Sequence, residues 1–426
     1  MRTVKSICPC SKGLPMAELP GALQDGHRPA PNNFSPPYLL EKEHAMEEET
    51  YKKLAKHLDN LPGGFPPTES GVELRILKRL FTPQEANLAL YLTLLPEEPR
   101  VVARRAGMPR DETAERLEEM AKKGLILREE RGTSPMRYLA AQYLVGIWEY
   151  HVNDLDKELI RDMNEYFPAL SEQVWKIPQM RTIPVGRSVT PELKVLPYEM
   201  AEELVRAQKK FSVGPCICRR EHNMMGKGCD KPEESCLGFG MAVDYRKRSG
   251  VGREIDLQET LDILKWADKA GLVLQPANAK DALWICLCCG CCCQVLKSFK
   301  RQAKPASMAS SPFFAAYNSE NCKACGVCVD RCQMEALKLE ADEVRLDVDR
   351  CIGCGLCVST CPTHSLTLVR KPQSEQQEVP KDIIDASIKL GKARGKITTP
   401  GLIKMVVKSK VDRILTLGDR HESDRS

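Results

Sequence analysis

The sequence lacks the features that would place the chain in a membrane or on a secretion route. A membrane-spanning helix needs about eighteen or more consecutive apolar residues. The longest near-apolar stretch, residues 139–148, is much shorter and is interrupted by Gln142 and Tyr143. The N-terminus has no basic segment followed by an apolar one, as a signal peptide would have. We therefore expect a cytoplasmic protein with no membrane partner.

The motifs of several large enzyme classes are also missing. The sequence contains no Cys-x3-Cys-x2-Cys triad of the radical-SAM type, no Walker loop and no HExxH. The glycine pairs at 238–240 and 250–252 lack the third glycine and the preceding strand of a dinucleotide site. No enzyme class follows from a motif, and the enzymatic status stays open.

Excess charge of one sign is absent as well. The chain has 63 basic and 58 acidic residues, a net charge of +5. This balance gives no argument for nucleic-acid binding by itself.

Cysteine, by contrast, is abundant and clustered. The 20 cysteines occur in three places: two near the start, four in 216–236 and fourteen in 286–361. A secreted disulfide framework belongs to a much smaller chain than this one. The clustering indicates metal ligation in a reducing compartment.

The clearest pattern lies between residues 322 and 361. It reads Cys322-x2-Cys325-x2-Cys328-x3-Cys332 and then Cys351-x2-Cys354-x2-Cys357-x3-Cys361-Pro362. The two runs are an internal repeat at an offset of 29 residues, from Cys322 to Cys351. Sulfur ligands select iron–sulfur clusters or zinc over hard cations. Small residues in the loops (Ala324, Gly326, Gly353 and Gly355) would let the backbone approach inorganic sulfide.

Segment 312–370 resembles a bacterial-type two-cluster ferredoxin domain with a pseudo-twofold β-α-β plan. In that family the fourth cysteine of each run ligates the other cluster. The resemblance therefore implies two [4Fe–4S] clusters, one held by Cys322, Cys325, Cys328 and Cys361, the other by Cys351, Cys354, Cys357 and Cys332. Gln333 stands where the first run would normally carry proline. The alternative is a pair of zinc sites, which more often use two separated CxxC pairs.

Ten further cysteines lie in the middle of the chain: Cys216, Cys218, Cys229 and Cys236, then Cys286, Cys288, Cys289, Cys291, Cys292 and Cys293. The first four could bind a third iron–sulfur cluster, or members of both groups could converge on one site. Zinc is an alternative to a cluster, because soft ligands serve both. Arg219 and Arg220 could offset thiolate charge. The Cys-Cys-Gly element loosely resembles heterodisulfide-reductase-type domains, but the wider spacing of that family is absent. The chain also resembles uncharacterised ferredoxin-like proteins of anaerobic bacteria that combine CxCR with CCGCCC. That resemblance implies a redox association and no defined reaction.

The N-terminal part of the chain predicts a flexible lead-in and a helical domain. Residues 1–45 are rich in proline and glycine, and Cys8 and Cys10 are only a weak metal signal. Residues 46–142 resemble a winged helix, with helices at 83–94, 97–106 and 110–123 followed by a hairpin. The third helix would read DNA in the major groove. However, it carries five acidic residues against four basic ones, and phosphate contacts dominate DNA affinity. A role in protein interaction or a purely structural role is therefore favoured over DNA binding.

The predicted fold class is α+β multidomain. The winged-helix-like domain precedes a helical, cysteine-rich α/β middle domain at 143–300, with a helix capped by Asp256 and another over 198–211. The ferredoxin-like 2[4Fe–4S] domain follows at 312–370. The tail at 373–426 is polar and helical (383–390 and 402–415). Lys404, Lys408 and Lys410 give it a basic face, for which a solvated surface is favoured over docking to an acidic electron partner.

The predicted function is an iron–sulfur electron-transfer protein that relays single electrons to or from a redox partner protein or the adjacent cysteine-rich site. The winged-helix-like region would bind a partner or a second copy of the chain, as a homodimer. One alternative is a catalytic oxidoreductase acting at the 216–293 cysteines. The other is a redox-sensing winged-helix transcription regulator, which the acidity of the third helix argues against.

Overall fold

The computed structural model describes residues 37–417 except 131 and 133. The chain separates into two compact units, 1–45 and 46–426. Of the first unit only residues 37–45 are described, and they are helical, so the predicted flexible lead-in does not extend to residue 45. Cys8 and Cys10 lie outside the described residues.

The helices are α1 Pro37–Asn60, α2 Val72–Leu80, α3 Pro83–Ala89, α4 Pro99–Ala106, α5 Arg110–Lys123, α6 Trp148–Tyr150, α7 Lys157–Val174, α8 Ala201–Arg206, α9 Ile217–Met224, α10 Met241–Ser249, α11 Leu257–Lys269, α12 Gln294–Lys300, α13 Pro305–Met308, α14 Val327–Arg331, α15 Ile383–Ala393 and α16 Thr399–Leu415. The strands are β1 Ile126–Glu129, β2 Arg137–Ala140, β3 Phe211–Pro215, β4 Glu234–Phe239, β5 Arg253–Ile255, β6 Val273–Pro276, β7 Trp284–Cys288, β8 Phe313–Tyr317, β9 Leu337–Glu340, β10 Glu343–Leu346 and β11 Leu366–Arg370. The molecule is therefore α+β, as predicted. No described helix has the length and apolar character needed to cross a membrane.

The N-terminal region contains the predicted order of helices followed by a hairpin. Helix α3 begins at a capping box in which Thr82 and Glu85 satisfy each other's backbone N–H groups, but it ends at Ala89, earlier than predicted. Helix α5 has the predicted bounds, and β1 pairs antiparallel with β2. Membership of the winged-helix class stays a prediction.

The core of this region crosses the boundary predicted at residue 142. It includes Phe65, Tyr143 and Tyr166, whose rings contact one another at centroid distances of 4.8–6.1 Å. Residues of α7 belong to the same core, so α7 packs with the N-terminal helices.

The middle region is built on a five-stranded sheet with strand order β5-β3-β4-β7-β6. Every pairing in it is antiparallel, so the predicted α/β middle domain is wrong: parallel strands would need crossover connections. Asp256 caps α11 as predicted, its carboxylate accepting from Glu259 N at 2.7 Å. The predicted helix over 198–211 is corrected too, because α8 ends at Arg206 and Phe211 begins β3.

Successive side chains of this sheet point to opposite faces. One face places Val213, Leu237 and Ile285 in a buried hydrophobic core, against which α8 and α11 contribute Leu204 and Leu264. The other face carries cysteines, because Cys236 of β4 lies directly opposite Cys286 of β7.

The ferredoxin-like segment shows the 29-residue repeat in its backbone. Left-handed residues occur in pairs at this offset: Ala324 and Gly353, Gly326 and Gly355, Glu335 and His364. Strand β8 pairs with β11, and β9 with β10. Ala341 and Asp342 both have positive φ and close the β9–β10 hairpin, as a tight two-residue turn requires.

The C-terminal helices pack back onto the N-terminal region. In α4, Arg105 Nε donates to Asp412 of α16 at 2.7 Å, and Arg100 donates to Thr416 Oγ1 at 2.6 Å. Arg394, just after α15, is buried against the end of α1. Lys404, Lys408 and Lys410 are exposed.

Candidate iron–sulfur and thiol sites

The eight cysteines of the ferredoxin-like segment line two separate cavities. Cys322, Cys325, Cys328 and Cys361 line one cavity, and we name them the outer thiol set. Cys332, Cys351, Cys354 and Cys357 line the other, and we name them the inner thiol set. Each set takes three cysteines from one run and the fourth from the other. That these sets are the ligands of two clusters stays a prediction.

Backbone amides point at sulfurs in both halves of the repeat. Ala336 N donates to Cys332 Sγ at 3.2 Å, and Ser365 N donates to Cys361 Sγ at 3.3 Å. These two contacts are related by the 29-residue offset. Hydrogen bonds of this kind stabilise thiolates and tune the potential of a cluster.

The loops that carry the first three cysteines of each run have a backbone shape that fits a [4Fe–4S] cluster. Residues with positive φ hold them in tight turns, and at Gly353 a Cβ would come within 2.2 Å of Phe313 O. A larger residue could not occupy that position without moving β8. These tight turns therefore bring the three thiols of each loop around one cavity.

The two sets differ in exposure. Cys325 of the outer set is exposed, whereas Cys351 and Cys357 of the inner set are buried. Burial raises the pKa of Cys354 to about 12, and the neighbouring Cys332 and Cys351 thiolates add to this effect. In the outer set, burial works against ionisation of Cys361, but hydrogen bonds from Thr363 and Ser365 prevail and lower its pKa.

The inner set lies against the middle region. Met334, Ile352 and Leu356 belong to the same hydrophobic core as the sheet. Val185 N donates to Cys354 O at 3.1 Å. A Cβ on Gly355 would come within 2.1 Å of Ser188 Oγ, so the inner loop and the middle region are in direct contact.

The ten middle cysteines divide into two groups. In the first, which we name the thiol tetrad, the sulfurs of Cys229, Cys289, Cys291 and Cys292 all lie within 4.8 Å of one another. These four thiols could hold a metal ion. The structure thus groups Cys229 with cysteines of the second stretch, which agrees with the alternative that members of both stretches converge on one site.

The second group lies at the face of the sheet that carries Cys236 and Cys286. We name it the sheet-face set: Cys216, Cys218, Cys236, Cys286, Cys288 and Cys293. Cys236 and Cys286 are cross-strand neighbours, and Cys288 is two residues further along the same face. Cys293 Sγ lies 3.9 Å from Gln275 Oε1. Cys218 hydrogen-bonds with Cys216 and with Cys293, which joins the start of α9 to the set. Hydrogen bonds from Cys236 and Cys288 lower the pKa of Cys286 to about 6.

Two arginines accompany these thiols. Arg246 Nη2 donates to Cys236 Sγ at 2.8 Å. Arg219 is buried; burial disfavours its charge, but the nearby Cys216 and Cys289 thiolates raise its pKa. Arg220 instead pairs with Glu233 at 2.9 Å. Of the two arginines expected to offset thiolate charge, Arg219 lies beside the thiols. Sequence reasoning missed Arg246, because no local motif connects it to Cys236.

The loop of the tetrad meets the inner set at one contact. Gly290 N donates to Gln333 Oε1 at 2.7 Å, and a Cβ on Gly290 would come within 2.3 Å of Gln333 O. Gln333 follows Cys332 directly. The residue that departs from the usual Cys-Pro pattern is therefore the one that joins the ferredoxin-like segment to the middle cysteines.

The fold and the two thiol sets together define a ferredoxin-like iron–sulfur segment. Comparison with known families agrees: residues 344–367 match a family model described as a 4Fe-4S binding domain. The matched stretch contains Cys351, Cys354, Cys357 and Cys361, and it supports the binding of at least one [4Fe–4S] cluster. No curated protein and no solved structure matches the chain.

Proposed function

We propose that the chain is an iron–sulfur electron-transfer protein with two [4Fe–4S] clusters, one held by the outer thiol set and one by the inner. The observation that carries this proposal is the division of eight cysteines into two four-thiol cavities, each completed by the other half of the repeat. When bound, such clusters supply one-electron chemistry. The protein contributes ligands, burial and amide hydrogen bonds.

The difference in exposure between the two sets supports a path for the electrons, between a partner protein at the outer set and the middle cysteines beside the inner set. A redox partner protein would meet the outer set, since Cys325 is exposed there. The inner set faces the middle cysteines across the contact between Gly290 and Gln333. Cys351 and Cys357 of the inner set are buried, so the outer set is the more accessible of the two.

A reducing location is part of the proposal. All eighteen cysteines of the described residues are free thiols. Thiols persist in this form in the cytoplasm, where cellular reductants keep disulfides rare. We therefore place the protein in the cytoplasm.

The sheet-face set favours a second candidate function, a catalytic oxidoreductase that reduces a substrate at this face. Its six thiols exceed the four that one ordinary cluster uses. A buried carboxyl lies nearby: burial raises the pKa of Glu221 to about 7, against opposing hydrogen bonds from Gln294 and Trp148. A carboxyl of that pKa could hold or release a proton near neutral pH.

Transcription regulation gains no support from α5. Arg116 pairs with Glu112 at 2.8 Å, and Lys123 pairs with Glu85 at 2.5 Å. These basic side chains are engaged within the protein, and the helix keeps its acidic excess. We therefore propose protein interaction for this region.

Quantification of iron and sulfide in anaerobically purified protein, with electron paramagnetic resonance before and after dithionite, tests the main proposal. We expect about eight iron and eight sulfide per chain and signals that appear on one-electron reduction. About twelve iron would add a cluster at the middle cysteines and favour the second candidate. Colourless, iron-free protein would contradict both.

A further inference from the structure

We propose that the thiol tetrad, Cys229, Cys289, Cys291 and Cys292, is a separate site for a single zinc ion bound by four thiolates. The sequence leaves iron–sulfur cluster and zinc as alternatives for the middle cysteines and does not assign their ligands. The structure distinguishes these alternatives through sulfur–sulfur distances. The inference does not depend on the two-cluster proposal, because it concerns different cysteines.

The distances between the sulfurs match a mononuclear site. Zinc–thiolate bonds are about 2.3 Å long, so the edges of a tetrahedral four-thiolate site are about 3.8 Å. In the tetrad, Cys229 Sγ lies 3.9 Å from Cys289 Sγ and 3.6 Å from Cys292 Sγ. Cys292 Sγ lies 3.8 Å from Cys291 Sγ. These separations leave room for one ion between the sulfurs.

A [4Fe–4S] cluster requires a wider arrangement. Each of its four thiolates binds a different iron atom, so the sulfurs surround a whole cluster and not a single ion. Within the part of the chain that the structure describes, the tetrad is the group of cysteines whose sulfurs all lie within 4.8 Å of one another. The sulfurs of the outer set and of the inner set are farther apart than this.

The chemistry of the site favours zinc over iron. In the Irving–Williams order, zinc binds a given set of ligands more tightly than ferrous iron does. Four thiolates carry a charge of −4, and one divalent ion leaves −2. The buried guanidinium of Arg219 lies within hydrogen-bonding distance of Cys289. Part of the remaining charge is therefore balanced within the fold.

The position of the tetrad assigns the ion a structural role. Cys229 lies in an irregular segment between α9 and β4, sixty residues from Cys289 along the chain. Cys291 and Cys292 lie in the turn between β7 and α12. One ion would tie these two segments together next to Gly290, which contacts Gln333. It would thereby fix the loop that the inner thiol set packs against.

The experiment measures zinc in anaerobically purified full-length protein and zinc–ligand distances by X-ray absorption. We expect about one zinc per chain with four sulfur ligands at about 2.3 Å. Cys229→Ser and Cys291→Ser should each lower the zinc content about tenfold or more. The iron content should stay unchanged, which shows that these variants fold.

Cys216→Ser is the matched control, since Cys216 is half-buried like Cys229 but belongs to the sheet-face set. It should retain zinc. The proposal is overturned if the wild-type protein contains no zinc, or if the tetrad variants keep it. It is equally overturned if those variants lose iron and sulfide, because the tetrad would then hold a cluster. Failure of the two-cluster proposal would show as missing iron in a protein that still contains zinc.

Discussion

Gln333 connects the ferredoxin-like segment to the loop of the thiol tetrad through one hydrogen bond. The preceding residue, Cys332, has φ −78° and ψ 104°, close to the extended region that a residue before proline adopts. A proline would therefore fit the local backbone. Glutamine provides something that proline cannot, an acceptor for the buried N–H of Gly290.

Replacing this residue by proline tests the role of the contact. Gln333→Pro should leave the iron content unchanged, because no thiol is lost. It should lower the free energy of unfolding by about 1–3 kcal/mol, the cost of a buried donor without a partner. Thermal or denaturant unfolding under anaerobic conditions measures the difference. Gln333→Glu keeps an acceptor oxygen and serves as the control. Equal stability of Gln333→Pro and wild type would show that the contact contributes nothing.

Individual residues also show what spacing can and cannot predict. The grouping of the eight ferredoxin-type cysteines followed from the two runs and the family resemblance. The division of the middle cysteines did not, because neighbours in sequence belong to different groups: Cys288 to the sheet-face set and Cys289 to the tetrad. Strand β7 ends at Cys288, and the alternation of side-chain directions ends with it. The location of that strand end therefore separates Cys288 from Cys289.

At the scale of elements, caps and local turns were predictable. Asp256 begins α11 because its carboxylate accepts from the first turn of the helix. The helix predicted over 198–211 failed because Met200, Leu204 and Val205 suit a helix while Phe211 suits a strand. Apolar residues at helical spacing do not reveal where the next strand begins. Antiparallel pairing in the middle sheet could not be predicted from local sequence either, because it depends on contacts between residues far apart in the chain.

The attachment of the C-terminal helices depends on a buried ion pair that no sequence pattern indicated. Arg394 Nη2 lies 2.7 Å from Asp59 Oδ1, and the arginine side chain is 2% exposed. Lys396 Nζ approaches the other carboxylate oxygen at 2.6 Å. Burial acts against ionisation of Asp59, but hydrogen bonds from Lys396 and Phe65 N and the charge of Arg394 lower its pKa.

Asp59→Ala should therefore loosen the C-terminal helices. Removing one partner of a buried pair costs about 3–5 kcal/mol, and we expect the lower end, because Arg394 also donates to the Leu61 and Pro62 carbonyls. Limited proteolysis should release the segment after residue 380 faster than in wild type. Glu378→Ala, which removes an exposed pair with Lys389, should change the rate little.

The pH dependence of this pair has a definite sign. A carboxyl whose pKa is lowered by folding adds stability above its unfolded pKa, and that stability is lost as pH falls through the folded value. The contribution should thus be constant between about pH 6 and 8. A proteolysis rate that differs between wild type and Asp59→Ala at pH 6 but not at pH 8 would contradict this assignment.

At the scale of the whole molecule, three of the four cysteine groups follow one another through contacts between neighbouring loops. The outer set is accessible, the inner set is packed on the middle region, and the tetrad meets the inner set through Gly290 and Gln333. The α+β class and the ferredoxin-like segment could be predicted, because their signals are local and repeated. Packing of the inner set on the sheet could not, because it is formed by residues far apart in the chain.

The assignment of the fourth cysteine in each run is the centre of this account. Reduced, anaerobically purified variants should be compared by electron paramagnetic resonance. Cys361→Ser should alter the same signal as Cys325→Ser, and Cys332→Ser should alter the same signal as Cys354→Ser. If Cys361→Ser instead changes the signal that Cys354→Ser changes, each run holds its own cluster and the proposed grouping is wrong.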